Sequence, residues 1–188
     1  TGQGYPLVWS HEFGGDRRSW EPQVRYFSRR YRVITYNHRG YPPSSVPQQA
    51  DGYSQDILVE DLYQLLNRLG LRQVHLGGCS MGANVARDFA IAHPDRTRSL
   101  ILVGAGAGAV NREQFLTAQA ATADGLERDG MAAQLRGFET LSTRASFKRK
   151  DPRGFAEFLR YAGEHDAQAC AHLARNVMSR RKTVPEVE

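Results

Sequence analysis

The chain has 188 residues, 40% of them hydrophobic, which is enough to bury a sizeable core, and its length points to a single domain. No apolar run reaches the roughly eighteen residues of a membrane span, and the start at Thr1-Gly2 carries neither an initiator Met nor a signal-peptide pattern. The net charge of +5 includes short basic runs at Arg29-Arg30, Lys148-Arg149-Lys150 and Arg180-Arg181-Lys182. These are scattered and come with no nucleic-acid motif, so a solvated surface is expected, with no nucleic-acid or membrane partner. Cys79 and Cys170 match no metal or disulfide spacing and are expected as free thiols, which fits a cytoplasmic setting.

In chain order, Leu7-Val8-Trp9 is too short for a helix and reads as a buried strand running into the turn-rich His11 to Asp16. Ser19 with Pro22 starts a short helix, with Val24, Tyr26 and Phe27 on its apolar side. The β-branched and aromatic Arg32 to Tyr36 is a second strand, followed by the irregular stretch Asn37 to Ser45. Ser54 caps a longer helix in which Leu58, Leu62, Leu65, Leu66 and Leu69 recur at helical spacing, and Gly70 stops it. Gln73 to Gly77 is a third strand, Met81 to His93 a helix ended by Pro94, and Ser99 to Val103 a fourth strand. Alternating strands and helices without hairpin signals imply an α/β fold, a mostly parallel sheet with helices on both faces.

From Asn111 to Lys182 the chain is rich in Ala, Gln, Arg and Glu and lacks β-branched runs, so it reads as helical. Phe155, Phe158, Leu159 and Ala162 form one stripe, and Leu173, Ala174 and Val177 suggest another. The expected organisation is a partial core over residues 1–108, a helical lid over 109–183, and a return to the core beginning at 184–188.

The chemistry is expected at Gly78-Cys79-Ser80-Met81-Gly82, a G-x-S-x-G string between a predicted strand and a predicted helix. A turn of that kind strains the serine backbone, presents its hydroxyl outward, and needs Gly78 and Gly82 because side chains there would collide. The helix starting at Met81 aims free N–H groups at the same point, and Met81 N–H is one expected oxyanion donor. Cys79 is a poor rival, because a cysteine elbow would want glycine at position 81, which is Met.

These segments give the chain a resemblance to the α/β-hydrolase superfamily. His11-Glu12-Phe13-Gly14-Gly15 resembles the family's H-G-x-x-G loop, which implies that Phe13 N–H is the second oxyanion donor. Losing such a donor costs about 3 kcal/mol of transition-state stabilisation. Glu12 departs from the pattern and is expected to point away from the oxyanion. Asn37-His38-Arg39-Gly40-Tyr41-Pro42-Pro43-Ser44 resembles D-x-R-G-x-G-x-S, with Asn37 replacing the acid. Arg39 is expected to pin neighbouring loops, and His11 and His38 to act as loop scaffold.

A triad would take its acid and histidine after Ser80. His93 lies roughly 18 Å away along the helix, and His165 and His172 fall in the helical block rather than on a late loop. Gly104 to Ala109 imitates a dinucleotide fingerprint, but no strand precedes Asp124, so the loop is expected to border the active-site mouth. The opening and final strands of the fold are expected to be missing, and the chain alone is expected to be nearly inactive. The implied function is serine-dependent hydrolysis of an ester or related acyl small molecule, without metal or cofactor. A non-catalytic small-molecule receptor of the same fold, or a cofactor-free perhydrolase or acyltransferase, are the alternatives.

Overall fold

The computed structural model describes residues 1–106 and 111–180. Its strands are β1 (Tyr5–Ser10), β2 (Tyr31–Thr35), β3 (Val74–Cys79) and β4 (Thr97–Val103), all parallel in the order β2-β1-β3-β4. The connecting helices are α1 (Glu21–Phe27), α2 (Gln55–Arg68) and α3 (Met81–Ala92). After β4 come α4 (Arg112–Asp129), α5 (Met131–Thr140), α6 (Ala145–Lys150), α7 (Pro152–Ala162) and α8 (Ala167–Leu173), the last running into a π-helical turn at Ala174–Met178. The expected parallel α/β architecture is therefore present. Among the described residues no helix is long and apolar enough to cross a membrane.

Local chemistry explains the elements that hold the sheet. Ser54, in extended conformation, accepts the Ile57 N–H at 3.1 Å and so caps α2. Leu58, Leu62 and Leu66 then fall on one side of the helix and are fully buried, each contributing about 1.5–3 kcal/mol of burial. Gly70, at φ 65°, lets the chain turn back so that Leu71 N–H reaches the Leu66 carbonyl at 2.9 Å. Together with α3 this stripe covers one sheet face, through Val8, Leu76, Val85 and Phe89. The other face is smaller: Trp9 stacks on Trp20 at 4.4 Å between centroids, beside Leu7, Val33 and α1. Trp9 also lies across Gly77, where a Cβ would stand 2.2 Å from its ring.

The helical segment is part of the main core. Ala123 and Leu126 of α4, with Leu173, Ala174 and Val177, join the same buried cluster as α2 and α3. Phe155 and Ala162 of the expected α7 stripe are buried, and Phe158 packs against Phe138 of α5 at 5.2 Å. The fourth strand is present as expected but largely uncovered: Leu100, Ile101, Leu102 and Val103 are 37–49% exposed, on both sides of the ribbon. β4 has β3 on one side only and forms the edge of the described sheet.

The loop after β2 is stitched to the loop after β1 by Asn37. Its Oδ1 accepts Arg17 N–H at 2.9 Å, while its Nδ2 donates to the Pro42 carbonyl at 2.6 Å. One side chain must therefore accept on one edge and donate on the other, which a carboxylate cannot do. Asn37→Asp is expected to cost about 1–3 kcal/mol, read as a lower urea midpoint with unchanged slope. An unchanged midpoint would show that the donated bond carries no weight.

Candidate active site

Ser80 stands between β3 and α3 with φ 51° and ψ −111°, the one non-glycine residue with positive φ among the described residues. Such a backbone costs about 1–3 kcal/mol and persists only where the surroundings enforce it. Two sets of bonds do so: Ser80 N–H donates to the Val103 carbonyl at 2.8 Å, and the Ser80 carbonyl accepts Asn84 N–H at 3.2 Å and Asn84 Nδ2 at 2.9 Å. The side chain is half-buried, and its hydroxyl makes no hydrogen bond among the described residues. Met81 occupies the first helical position, where its N–H has no intrahelical acceptor.

Close backbone contact places the first loop beside this turn. A Cβ on Gly78 would meet the Gly82 carbonyl at 2.2 Å, and one on Gly82 would meet the Ser10 carbonyl at 2.2 Å. The chain leaving β1 thus rests directly on the first turn of α3. Phe13 follows three residues later, its carbonyl held by Tyr41 O–H at 2.7 Å. The Phe13 N–H has no acceptor among the described residues. Glu12 turns to Ser19, whose hydroxyl donates to it at 3.1 Å.

His11 and His38 lie beneath this surface, fully buried. His38 N–H donates to His11 Nε2 at 3.1 Å, which puts the His11 proton on Nδ1, facing the Glu12 carbonyl at 2.8 Å. Burial holds the His11 pKa down to about 4, against smaller upward pulls from the Glu12 carbonyl and Asp16. Burial, with His11 beside it, also holds His38 well below its usual value. His38 Nε2 shares a 2.9 Å hydrogen bond with Ser10 Oγ. Arg39 donates to both oxygens of Asp61 and to the Gly52 carbonyl, tying its loop to α2.

The other histidines are also engaged away from Ser80. His75 bonds Ser99 Oγ at 2.7 Å, and His93 stacks on Tyr63 at the far end of α3. His172 meets the Gln48 carbonyl at 3.2 Å. His165 donates to Asp16 Oδ2 at 3.4 Å, joining the helical segment to the first loop. Burial pushes the Asp16 carboxyl up, but the bonds from His165 and Arg18 outweigh it and hold the group well below the usual range. Sequence reasoning did not single out Asp16, and its partner lies 149 residues away.

Both cysteines are free. Burial raises the Cys79 thiol, Glu12 raises it further, and Arg144 opposes them, so it stays protonated at neutral pH. Among the described residues no group of His, Cys, Asp and Glu side chains could hold a metal ion. Of the Gly104 to Ala109 loop, residues 107–109 lie outside the described residues, as does the return segment 184–188.

Relief of the strained turn gives a stability test. Ser80→Gly is expected to stabilise the fold by about 1 kcal/mol, seen as a higher melting temperature; a fall would mean the backbone is unstrained. The buried histidines give a second. The unfolded chain binds a proton at His11 below about pH 6.5, whereas the folded chain does so only near 4. Stability is therefore full above pH 6.5 and is lost as pH falls toward 4, by about 3 kcal/mol from this group. Denaturant titrations at both ends of that window should show the fall, and His11→Gln should make it shallower; an equal slope in the variant would remove His11 as its source.

The chain is similar to known hydrolases in sequence and in fold. A putative carbamate hydrolase RutD from Caulobacter segnis is 34% identical over 97 residues, which is 52% of this chain and 36% of that protein. Epoxide hydrolase 3 from Mus musculus is 30% identical over 101 residues, 54% of this chain and 28% of that one. The aligned stretches thus span about a third of these relatives' length. Among solved structures, a thermophilic esterase from Thermogutta terrifontis superposes with TM-score 0.83 and 28% identity, over 96% of this chain and 65% of that one. An enol-lactonase from Burkholderia xenovorans shares the fold at TM-score 0.82 and 24% identity, over 98% and 68%. The alpha/beta hydrolase fold family matches residues 5–155 directly, and the chain belongs to that family.

Proposed function

We propose that the protein is a serine-dependent hydrolase of esters or related acyl compounds, with Ser80 as nucleophile. The observation that carries this reading is the left-handed Ser80 backbone at the junction of β3 and α3, its hydroxyl free of any bond among the described residues. Ser80 Oγ would attack the acyl carbon and expel the alcohol or amine; water would then release the acid. The oxyanion would accept from Phe13 N–H and Met81 N–H; the Gly82 contact with Ser10, which sets the first loop against the start of α3, supports this reading. Helices α4–α8 would form the lid and set the substrate's shape. The relatives named for carbamate and epoxide hydrolysis share hydrolysis as such, and leave the acyl class to this chain's own residues.

Attack needs a base to take the serine proton, and each of the six histidines has another engagement. This observation also favours a second reading, a small-molecule-binding member of the fold in which chemistry is slow. Without a paired histidine, acceleration of 4-nitrophenyl acetate hydrolysis should not exceed the roughly 10³–10⁴-fold over water that remains when triad members are lost. Ser80→Ala should leave such a remainder in place, since it comes from the oxyanion donors and from binding, whereas a fluorophosphonate should add its mass to the wild-type chain only. Fast, serine-dependent turnover would mean that one of these histidines does serve Ser80. Absence of labelling would favour the binding reading.

A further inference from the structure

A cavity of about 740 Å³ lies between the first loop and helices α6 and α7, lined among others by Glu12, Ser19, Arg144, Phe147, Phe158 and Tyr161. Arg144 stands out on its wall. Its guanidinium carbon sits 4.7 Å from the Phe138 ring centroid and 4.2 Å from that of Phe158, so the planar group is held by two aromatic rings. Its end reaches the oxyanion loop: a Cβ on Gly14, next to Phe13, would stand 3.0 Å from a terminal nitrogen of Arg144. It is also close enough to Cys79, the neighbour of Ser80, to act on that thiol's charge.

Most charges around the cavity have a hydrogen-bonding partner or open to solvent. Asp16 is bound by Arg18 and His165, Glu21 by Arg25, and Glu157 accepts Tyr161 O–H. Asp151 caps α7 through Gly154 N–H, and Glu12 accepts from Ser19. Arg17 is exposed to solvent. Arg144 forms no ion pair or hydrogen bond among the described residues, and its Nε is buried without a partner. Burial works against its charge, and Glu12 and Cys79 only partly offset this. Arginine does not release its proton in proteins, so a half-buried cation remains, with no protein acceptor for its donors among the described residues.

We propose that Arg144 binds a carboxylate carried by the substrate, so that the site takes acyl compounds bearing a second, anionic group beside the scissile carbonyl. The assignment rests on the reading of Ser80 as the reacting centre, because the Phe13-Gly14 turn joins the two positions. A guanidinium gripped by rings presents its edge in one plane, which suits two parallel bonds to a carboxylate and discriminates against neutral esters. The aromatic grip also limits the side-chain entropy lost on binding.

The test uses equilibrium binding to the full chain, which needs no turnover. Monomethyl succinate and dimethyl succinate are titrated calorimetrically into wild type, Arg144→Met, Arg144→Lys and Ser80→Ala. Wild type and Ser80→Ala should bind the monoester about tenfold or more tightly than the diester, with the preference weakening as ionic strength rises. Arg144→Met should erase the preference, and Arg144→Lys should keep part of it while confirming that the position tolerates change. Equal binding of the two esters by wild type, no detectable binding of the monoester, or an undiminished preference in Arg144→Met would each overturn the proposal. Intact monoester binding without fluorophosphonate labelling would instead remove only the hydrolytic reading.

Discussion

The candidate site depends on one close approach: the first turn of α3 lies against the carbonyl of Ser10, with no room for a side chain on Gly82. Ser10 ends β1 and Met81 begins the helix after β3, so this contact sets the distance between the two strand ends that a reacting carbonyl would bridge. Strand pairing fixes the same register from below, with Ser10 opposite Gly78 and Trp9 opposite Gly77. Gly78 adds the complementary approach, its missing Cβ leaving space for the Gly82 carbonyl. The unfavourable Ser80 backbone is then a product of its neighbours, since no local preference of serine would choose it.

Much of this was legible in the chain because it is written over short distances. The α2 stripe, its Ser54 cap and the Gly70 stop are local signals whose period matches the structure. The G-x-S-x-G string gains its meaning from a predicted strand on one side and a helix on the other, and both are present. Strand β3 reaches Cys79, two residues beyond its expected end, because Gly78 and Cys79 pair with β4. What could not be read concerns contacts between distant segments. His165 looks like an ordinary helix-surface histidine until the fold brings it to Asp16, and Arg144 looks like one more basic residue until two phenylalanines from different helices enclose it. The exposure of Leu100 to Val103 was equally hidden, because composition reports that a strand is apolar and not how many neighbours it has.

Polar groups under the site are organised to keep charge out of the core. His11 and His38 are neutral, and their ring nitrogens tie the two first loops together where protonated rings would repel each other. Charged groups are paired: Asp16, itself buried, with Arg18, and Arg39 with Asp61 nearer the surface. Asp16 also carries the bond to His165, so the helical segment is attached to the loop that presents Phe13. Any movement of α7 and α8 would therefore be felt at the proposed oxyanion donors.

The edge of the sheet has a physical consequence of its own. Among the described residues β4 offers a free row of backbone donors and acceptors flanked by four greasy side chains, and the features that usually blunt such a border, Arg98 and the register irregularity beside it, lie only at its first end. A flank of this kind is adhesive: it templates the addition of a further ribbon, whether from elsewhere in the same polypeptide or from another molecule. Concentrated solutions of these 188 residues by themselves should therefore be prone to clumping, for reasons unrelated to the turn at Ser80.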